Sequence, residues 1–249
     1  MKRFTKIALT LAVIFTVIGF ACVIISMALG LTWGRFSNMV KDGKFSFGFD
    51  NDISLSWKEE DTIQDIKDVR DMEIEVGAGK LEVYYADVEK IQVKQEGVKK
   101  FSCYVEDGTL YIEGNNNLWK SRSVGKIVVQ IPKDIVFDEV DMEIGAGQAT
   151  IKDLAANSVN IEVGAGEAHL TSLDTKELDA STGAGSLYVE LIDSETDYSY
   201  DAECGIGQIM IGKTSIGGFG GSRNVENPGA RKYMDLECGI GQIEIKFQK

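Results

Sequence analysis

One eleven-residue unit, repeated along the chain, limits what this sequence can fold into more than any other feature. Asp141-Met-Glu-Ile-Gly-Ala-Gly-Gln-Ala-Thr-Ile151 recurs as Asn160-Ile-Glu-Val-Gly-Ala-Gly-Glu-Ala-His-Leu170 and Asp179-Ala-Ser-Thr-Gly-Ala-Gly-Ser-Leu-Tyr-Val189. It returns as Asp201-Ala-Glu-Cys-Gly-Ile-Gly-Gln-Ile-Met-Ile211 and Asp235-Leu-Glu-Cys-Gly-Ile-Gly-Gln-Ile-Glu-Ile245, with an outlying copy at Glu73-Ile-Glu-Val-Gly-Ala-Gly-Lys-Leu-Glu-Val83. The paired glycines are Gly77 and Gly79, Gly145 and Gly147, Gly164 and Gly166, Gly183 and Gly185, Gly205 and Gly207, and Gly239 and Gly241. From Gly145 the steps between first glycines are 19, 19 and 22 residues. A period of about 20 marks a solenoid.

Counting each copy from its first glycine, apolar residues fall at −3, −1 and +1, as in Met142, Ile144 and Ala146. That alternation is a β-strand with one inward face. Apolar residues fall again at +4 and +6, as in Ile209 and Ile211. The step from +1 to +4 is odd, so the inward parity flips, which needs a bend. The second glycine sits at the flip, where it tolerates positive φ or a tight corner. Each copy therefore reads as strand, glycine corner and strand. A return segment such as Lys152-Asp-Leu-Ala-Ala-Asn157 closes the coil. The expected fold is all-β: a right-handed parallel β-helix, or β-solenoid, of about 20-residue coils. Coils stack at the ordinary interstrand spacing of about 4.8 Å, and only several together bury their apolar face.

Ahead of the repeats, Met1-Lys-Arg-Phe-Thr-Lys6 is basic, and the 28 residues from Ile7 to Gly34 carry no charge. About 20 apolar residues span a bilayer. The run is too long for an ordinary signal-peptide core and lacks a small-x-small cleavage site. Gly19-Phe-Ala-Cys22 only faintly suggests a lipoprotein signal. The organisation expected is a cytoplasmic N-terminus over 1–6, a single transmembrane helix over 7–34, a juxtamembrane linker or cap over 35–70, and a solenoid domain over 71–249. The basic N-terminus places that domain outside the cytoplasm.

Charge narrows the partners. Three of the 26 basic residues and no acid precede the apolar run, so 23 face 39 acids in the remainder, a net −16. Such a surface repels phosphate backbones and excludes nucleic acid as a partner.

Between Asp71 and Pro132 the chain leaves the period. Ile91–Gln95, Phe101–Val105, Thr109–Glu113 and Lys126–Ile131 read as strands, and Glu106-Asp-Gly108 as a hairpin turn. A second irregularity lies between Gly205 and Gly239, a step of 34 residues. Its extra length, Ile216 to Lys232, is glycine-rich and locally basic. Insertions in solenoids emerge as loops on one face. This one is either unstructured or a binding loop; the candidate interaction residues are Phe219, Arg223, Arg231 and Lys232.

With these residues in hand, the chain resembles the bacterial putative-adhesin domains, a β-strand-repeat family of unknown function. The matching features are the N-terminal anchor, the strand Val128-Val-Gln-Ile-Pro132, and the Glu-Val-Gly-Ala-Gly and Glu-Cys-Gly-Ile-Gly units, over about residues 70–249. The chain departs from the commoner Ser-Gly corner by using Ala-Gly or Ile-Gly. The resemblance implies a right-handed β-solenoid on the cell envelope and no catalytic residues.

Four chemical features bear on function. Gly207-Gln-Ile-Met-Ile-Gly-Lys-Thr214 satisfies the P-loop pattern literally, but that mechanism needs a phosphate-cradling loop and a following helix. Here a repeat strand fills the middle and Ser215-Ile-Gly-Gly-Phe-Gly follows. The only histidine, His169, falls at an outward +5 position, against a histidine metal cluster or a catalytic triad. Position −2 carries Glu75, Glu143, Glu162, Ser181, Glu203 and Glu237. Stacked carboxylates repel; solvation is the plain account, and a Ca²⁺ joining Glu143 with Glu162 or Glu203 with Glu237 is the alternative. Cys204 and Cys238 share position −1 and should be neighbours in the core, as apolar thiols or a disulfide.

No catalytic, cofactor-binding or metal-binding residue is assigned, and the chain is not expected to be an enzyme. The expected function is a membrane-anchored extracytoplasmic β-solenoid presenting an interaction surface, an adhesin or envelope scaffold. Its partners would be an envelope protein or wall polymer and, through the N-terminal helix, the lipid bilayer. Self-association is a further expectation. The alternative is an envelope-stress or signalling accessory coupled to membrane partners.

Overall fold

The computed structural model describes residues 64–66, 69–115 and 125–249. The basic N-terminus, the transmembrane helix and most of the juxtamembrane segment expected from sequence lie outside these residues. All described residues belong to the unit Leu55–Lys249.

The described chain forms eighteen strands in order: β1 (Gln64–Ile66), β2 (Asp71–Val76), β3 (Lys80–Ala86), β4 (Ile91–Glu96), β5 (Lys100–Glu106), β6 (Thr109–Asn115), β7 (Lys126–Pro132), β8 (Phe137–Ile144), β9 (Gln148–Lys152), β10 (Ala155–Val163), β11 (Glu167–Thr182), β12 (Ser186–Leu191), β13 (Tyr198–Cys204), β14 (Gln208–Ile211), β15 (Thr214–Gly217), β16 (Gly221–Val225), β17 (Lys232–Cys238) and β18 (Gln242–Phe247). One 3₁₀ turn, Glu195–Asp197, precedes β13. Strands leading into a glycine corner pair in one sheet, and strands leaving it pair in the other. The leading sheet runs β5-β6-β2-β8-β10-β11-β17-β13-β16. The trailing sheet runs β1-β4-β7-β3-β9-β11-β12-β18-β14-β15. The long β11 serves both sheets, its first half in the trailing one and its second half in the leading one. The fold is solenoid-like and all-β, with one core between the sheets.

The coils do not stack in chain order. The first coil, β2–β3, lies between β6–β7 and β8–β9. The last, β17–β18, lies between the β11–β12 and β13–β14 coils. At each end the chain overshoots, turns back in antiparallel strands, β4 and β5 or β15 and β16, and the remaining coil fits inside. The expected hairpin turn at the near end is present, with Asp107 and Gly108 both at positive φ, 50° and 88°.

The core follows the repeat. Positions −3, −1, +4 and +6 stack into buried rows; Ile144, Val163, Ile209 and Ile245 are fully inaccessible. Burying each such side chain contributes about 1.5–3 kcal/mol against leaving it exposed. The −1 row narrows at both ends, from Gly114 through Val76, Ile144, Val163, Thr182, Cys238 and Cys204 to Gly221.

Two expectations about the corner are corrected. Position +1 was expected inside, but Ala146, Ala165, Ala184, Ile206 and Ile240 are all exposed, and only Ala78 is buried. The parity change falls between −1 and +2, so the middle residue of Gly-x-Gly is a turn apex pointing outward. Of the two causes expected for the glycines, positive φ or a tight corner, the first does not hold along the row. Of the twelve, only Gly79 has positive φ. What excludes a side chain is the coil beneath: a Cβ on Gly147 would lie 2.5 Å from the Gly79 carbonyl oxygen, and one on Gly145 2.6 Å from that of Gly77. Glycine here permits backbone stacking at strand spacing through a corner.

The segment from Ile216 to Lys232 also differs from the loop expected. Its first part is the β15–β16 corner, which extends each sheet by one antiparallel strand, β15 on β14 and β16 on β13, and covers the end of the stack. Ile216 is buried.

Candidate functional site

The six corners pile along one edge. Ala146 donates its amide to Gly77 O at 2.8 Å, Ala165 to Gly145 O at 2.8 Å, and Ala184 to Gly164 O at 2.8 Å. The ladder continues with Ile240 to Gly183 O at 2.7 Å and Ile206 to Gly239 O at 2.8 Å. The β15–β16 turn adds a final rung: Gly220 donates to Gly205 O at 2.8 Å. Strand register pairs Cys204 with Gly221 and Gln208 with Gly217, which sets Phe219 beside Ile206.

Apex residues therefore change character along the edge. They are alanine over the middle coils and become Ile240, Ile206 and Phe219 at the far end, with relative exposures of 67%, 58% and 82%. Neighbouring rungs stand one strand spacing apart, about 4.8 Å, so the three side chains make one apolar stripe. A contiguous exposed apolar patch marks an interaction site more often than scattered surface leucines do. Phe219 stands between Gly218 and Gly220, both at positive φ (101° and 74°), and their backbones meet no neighbour that would crowd a Cβ.

The outer face of the leading sheet flanks this edge and is strongly acidic. At position −2 the stack order is Glu113, Glu75, Glu143, Glu162, Ser181, Glu237 and Glu203. At −4 it is Glu73, Asp141, Asn160, Asp179, Asp235 and Asp201. No lysine or arginine occupies either row. Partial burial, then the Glu143, Glu113 and Glu73 carboxylates, push the Glu75 carboxyl above its ordinary range. Burial with Asp141 and Glu113 does the same to Glu73, and burial with Asp179 and Asp201 to Asp235. Glu143 does stand beside Glu162, and Glu203 beside Glu237. Among the described residues, no group of three or more His, Cys, Asp or Glu is placed to hold a metal ion.

The four candidate loop residues separate. Phe219 ends the apolar stripe. Arg223 lies on β16 opposite Ala202, with its side chain near the Tyr200 hydroxyl. Arg231 is exposed in the connection to β17. Lys232 is held elsewhere: its Nζ sits 2.5 Å from Asp193 Oδ2 and 3.2 Å from Asp174 Oδ1, and 5.6 Å from the centre of the Tyr198 ring. Burial alone would lower the Lys232 ammonium, but bonds to Asp193 and Asp174 bring it up to about 12. Buried Tyr198 donates to Thr175 O at 2.9 Å, and Asn227 Nδ2 donates to Tyr198 O at 2.6 Å. This network ties the last coil down. Sequence reading missed Ile206 and Ile240, although the change from Gly-Ala-Gly to Gly-Ile-Gly was the available signal.

The literal P-loop match spans a corner, β14, a turn at Gly212 (φ 54°) and the start of β15; no helix follows it. His169 is exposed on the trailing sheet, 2.8 Å from Glu167 and stacked on Tyr188 with ring centres 4.5 Å apart.

The sequence pattern described as Toastrack DUF4097 matches residues 69–249. No curated protein matches the chain. Among solved structures, a "putative cell adhesion protein" from Clostridium sporogenes ATCC 15579 shares 18% identity over 77% of this chain and 100% of its own, with a TM-score of 0.57. A "putative adhesin" from Bacteroides fragilis NCTC 9343 shares 17% identity over 76% of this chain and 98% of its own, at a TM-score of 0.36. At these identities the first likeness speaks for the fold alone, and the second carries no weight.

Proposed function

We propose, for a chain that belongs to the Toastrack DUF4097 family, a binding rather than a catalytic role: an adhesin-like solenoid, right-handed as parallel crossovers almost always are, held at the cell envelope and offering its corner edge to an envelope protein. The observation that carries this is the stripe Ile240–Ile206–Phe219, apolar and exposed where the equivalent middle rungs are alanine. A corner needs only a small residue at its apex, so three large apolar side chains there add nothing to the fold. The flanking carboxylates favour a partner with cationic or neutral character around an apolar centre, which ranks an envelope protein above an anionic wall polymer.

Membrane tethering belongs to the same proposal. The uncharged run Ile7–Gly34 and the basic residues before it support it. The proposal assigns no reaction, because the carboxylates stand on an open sheet face rather than across a groove.

The test is photo-crosslinking in intact cells with the full chain. A crosslinking residue at position 219 is expected to capture one envelope protein, a residue at position 165 is not, and Ile206→Ser should abolish the capture at 219. Equal capture from both positions, or capture that ignores Ile206→Ser, overturns the assignment. Capture of wall polymer instead would transfer the site to that partner class.

A further inference from the structure

Two cysteines meet in the core where the chain's last coil is inserted. Cys204 ends β13 and Cys238 ends β17; the two are register partners on adjacent parallel strands. Both occupy the inward −1 position and are only 3% exposed. Both thiols are free in the structure. Register partners stand about 4.8 Å apart at Cα, inside the range of about 4.4–6.8 Å that a disulfide bridges, and their Cβ atoms need to close only slightly from that spacing to the roughly 3.5–4.5 Å of a formed bond. The surroundings leave the sulfurs room. A Cβ on Gly207 would lie 2.6 Å from Cys238 Sγ, so glycine is what clears the space above that sulfur. Beyond Cys204 the next residue in the row is Gly221, which has no side chain. On the other side, Thr182 Oγ1 lies 3.5 Å from Cys238 Sγ. Cys103, at the opposite end of the stack, is paired across strands with Ile112 and has no cysteine as register partner among the described residues.

We propose that Cys204 and Cys238 are a disulfide site, and that the bond fastens the last coil, β17–β18, to the β13–β14 coil. The oxidant is a disulfide of the thiol–disulfide exchange class, either a small-molecule disulfide or a protein oxidoreductase. One cysteine, as thiolate, attacks a sulfur of that disulfide and releases one thiol, leaving a mixed disulfide. The second cysteine, as thiolate, then displaces the other thiol and the Sγ–Sγ bond forms. Two protons and two electrons leave the pair, and the oxidant becomes two thiols. Cys204 lies on the side of the β15–β16 corner, whose turn is built from Gly217, Gly218, Gly220 and Gly221. The oxidising environment assumed in cells rests on the extracytoplasmic placement proposed above; the geometry does not.

The experiment refolds the full chain, in detergent, from denaturant in a glutathione redox buffer, so burial cannot bar access. The product is then quenched, denatured, alkylated and mapped by peptide mass spectrometry. The expected result is a single linked peptide pair containing Cys204 and Cys238, released only by reductant, with Cys103 outside any intramolecular link. The oxidised protein should melt about 5–10 °C above the reduced one, and Cys204→Ser should remove both the link and the difference. Alkylation of both Cys204 and Cys238 after refolding in oxidising buffer overturns the proposal. Trapping thiols in intact cells reads the compartment separately: a bond that forms on refolding but is absent in cells would count against the extracytoplasmic placement while leaving the site intact.

Discussion

Ile206 donates its amide to the Gly239 carbonyl across 2.8 Å, so the central residue of the fifth repeat rests on one from the sixth. Gly239 in turn rests on Thr182 through its own amide at 2.8 Å. The last coil of the chain is thus the last but one of the stack, held on both faces by strands made before it. The corner glycines make this possible, because each rung meets the next through backbone alone.

That contact predicts graded damage from alanine at the corners. In Gly185→Ala the new Cβ would stand 2.5 Å from Gly166 O and 2.7 Å from Val163 Cγ1, whereas in Gly183→Ala it would meet Gly164 O at 3.0 Å. Gly185→Ala should cost about 1–3 kcal/mol, the range for overpacking a close-packed interior, and Gly183→Ala clearly less. Urea unfolding of the two variants measures the difference; equal losses would mean that corner conformation, not stacking, selects glycine.

The carboxylate rows predict an unusual pH dependence. Burial and like-charged neighbours raise Glu73, Glu75 and Asp235 in the folded state. A folded protein that holds protons more tightly than its unfolded chain loses stability as pH rises. For these groups the loss begins at the ordinary carboxylate range near pH 4–4.5 and is complete above their raised folded values. The domain should therefore melt higher near pH 5 than at pH 7.5, and added salt should narrow the gap by screening. Glu75→Gln should stabilise by about 0.2–1 kcal/mol at pH 7.5, the scale of one cross-strand like-charge pair, and should do little near pH 4. Melting curves that rise steadily from pH 5 to 7.5 would contradict this.

Lys232 and Phe219 should part company experimentally. Lys232→Ala leaves Asp174 without its cation and Asp193 with only the longer contact to Lys249 at 3.5 Å, and side-chain exposures of 19% and 17% for Lys232 and Asp193 put that pair largely out of water. The loss should be about 1.5–3 kcal/mol, the scale of hydrogen bonds to charged groups. Phe219→Ala should leave the melting temperature within about 1 °C and remove partner capture. A Phe219→Ala variant that unfolds early would make the stripe part of the fold rather than a docking edge.

Tyr198→Phe tests the network under the last coil. The hydroxyl donates to Thr175 O at 2.9 Å, while the ring packs beside Phe247. Removing the hydroxyl alone should cost about 1 kcal/mol and leave near-ultraviolet circular dichroism little changed. A loss near zero would show that Thr175 O is satisfied without it.

Much of this architecture was legible because the repeat writes its register twice, once in apolar alternation and once in glycine. The strands β4 to β7, the Asp107–Gly108 turn, the pairing of Cys204 with Cys238 and the adjacency of Glu143 with Glu162 all follow from local pattern. Stack order did not. Sequence distance says that Gly205 follows Gly183, and nothing local to either residue reveals that the strand carrying Gly239 slips between them. The exposed apex was misassigned because alanine is as common inside as outside, and only the later isoleucines gave a clue. Lys232 looked like part of a basic loop, since its acids, Asp174 and Asp193, are remote in sequence.

The route of the chain at the near end has a mechanical consequence. β2, the first strand of the first full coil, runs parallel to β6 on one side and β8 on the other. A tether pulling on residue 69 would draw β2 along its own length, so both ladders would be sheared at once instead of being peeled rung by rung. Tension applied at that residue would thus be shared between the two ladders before the first coil could yield.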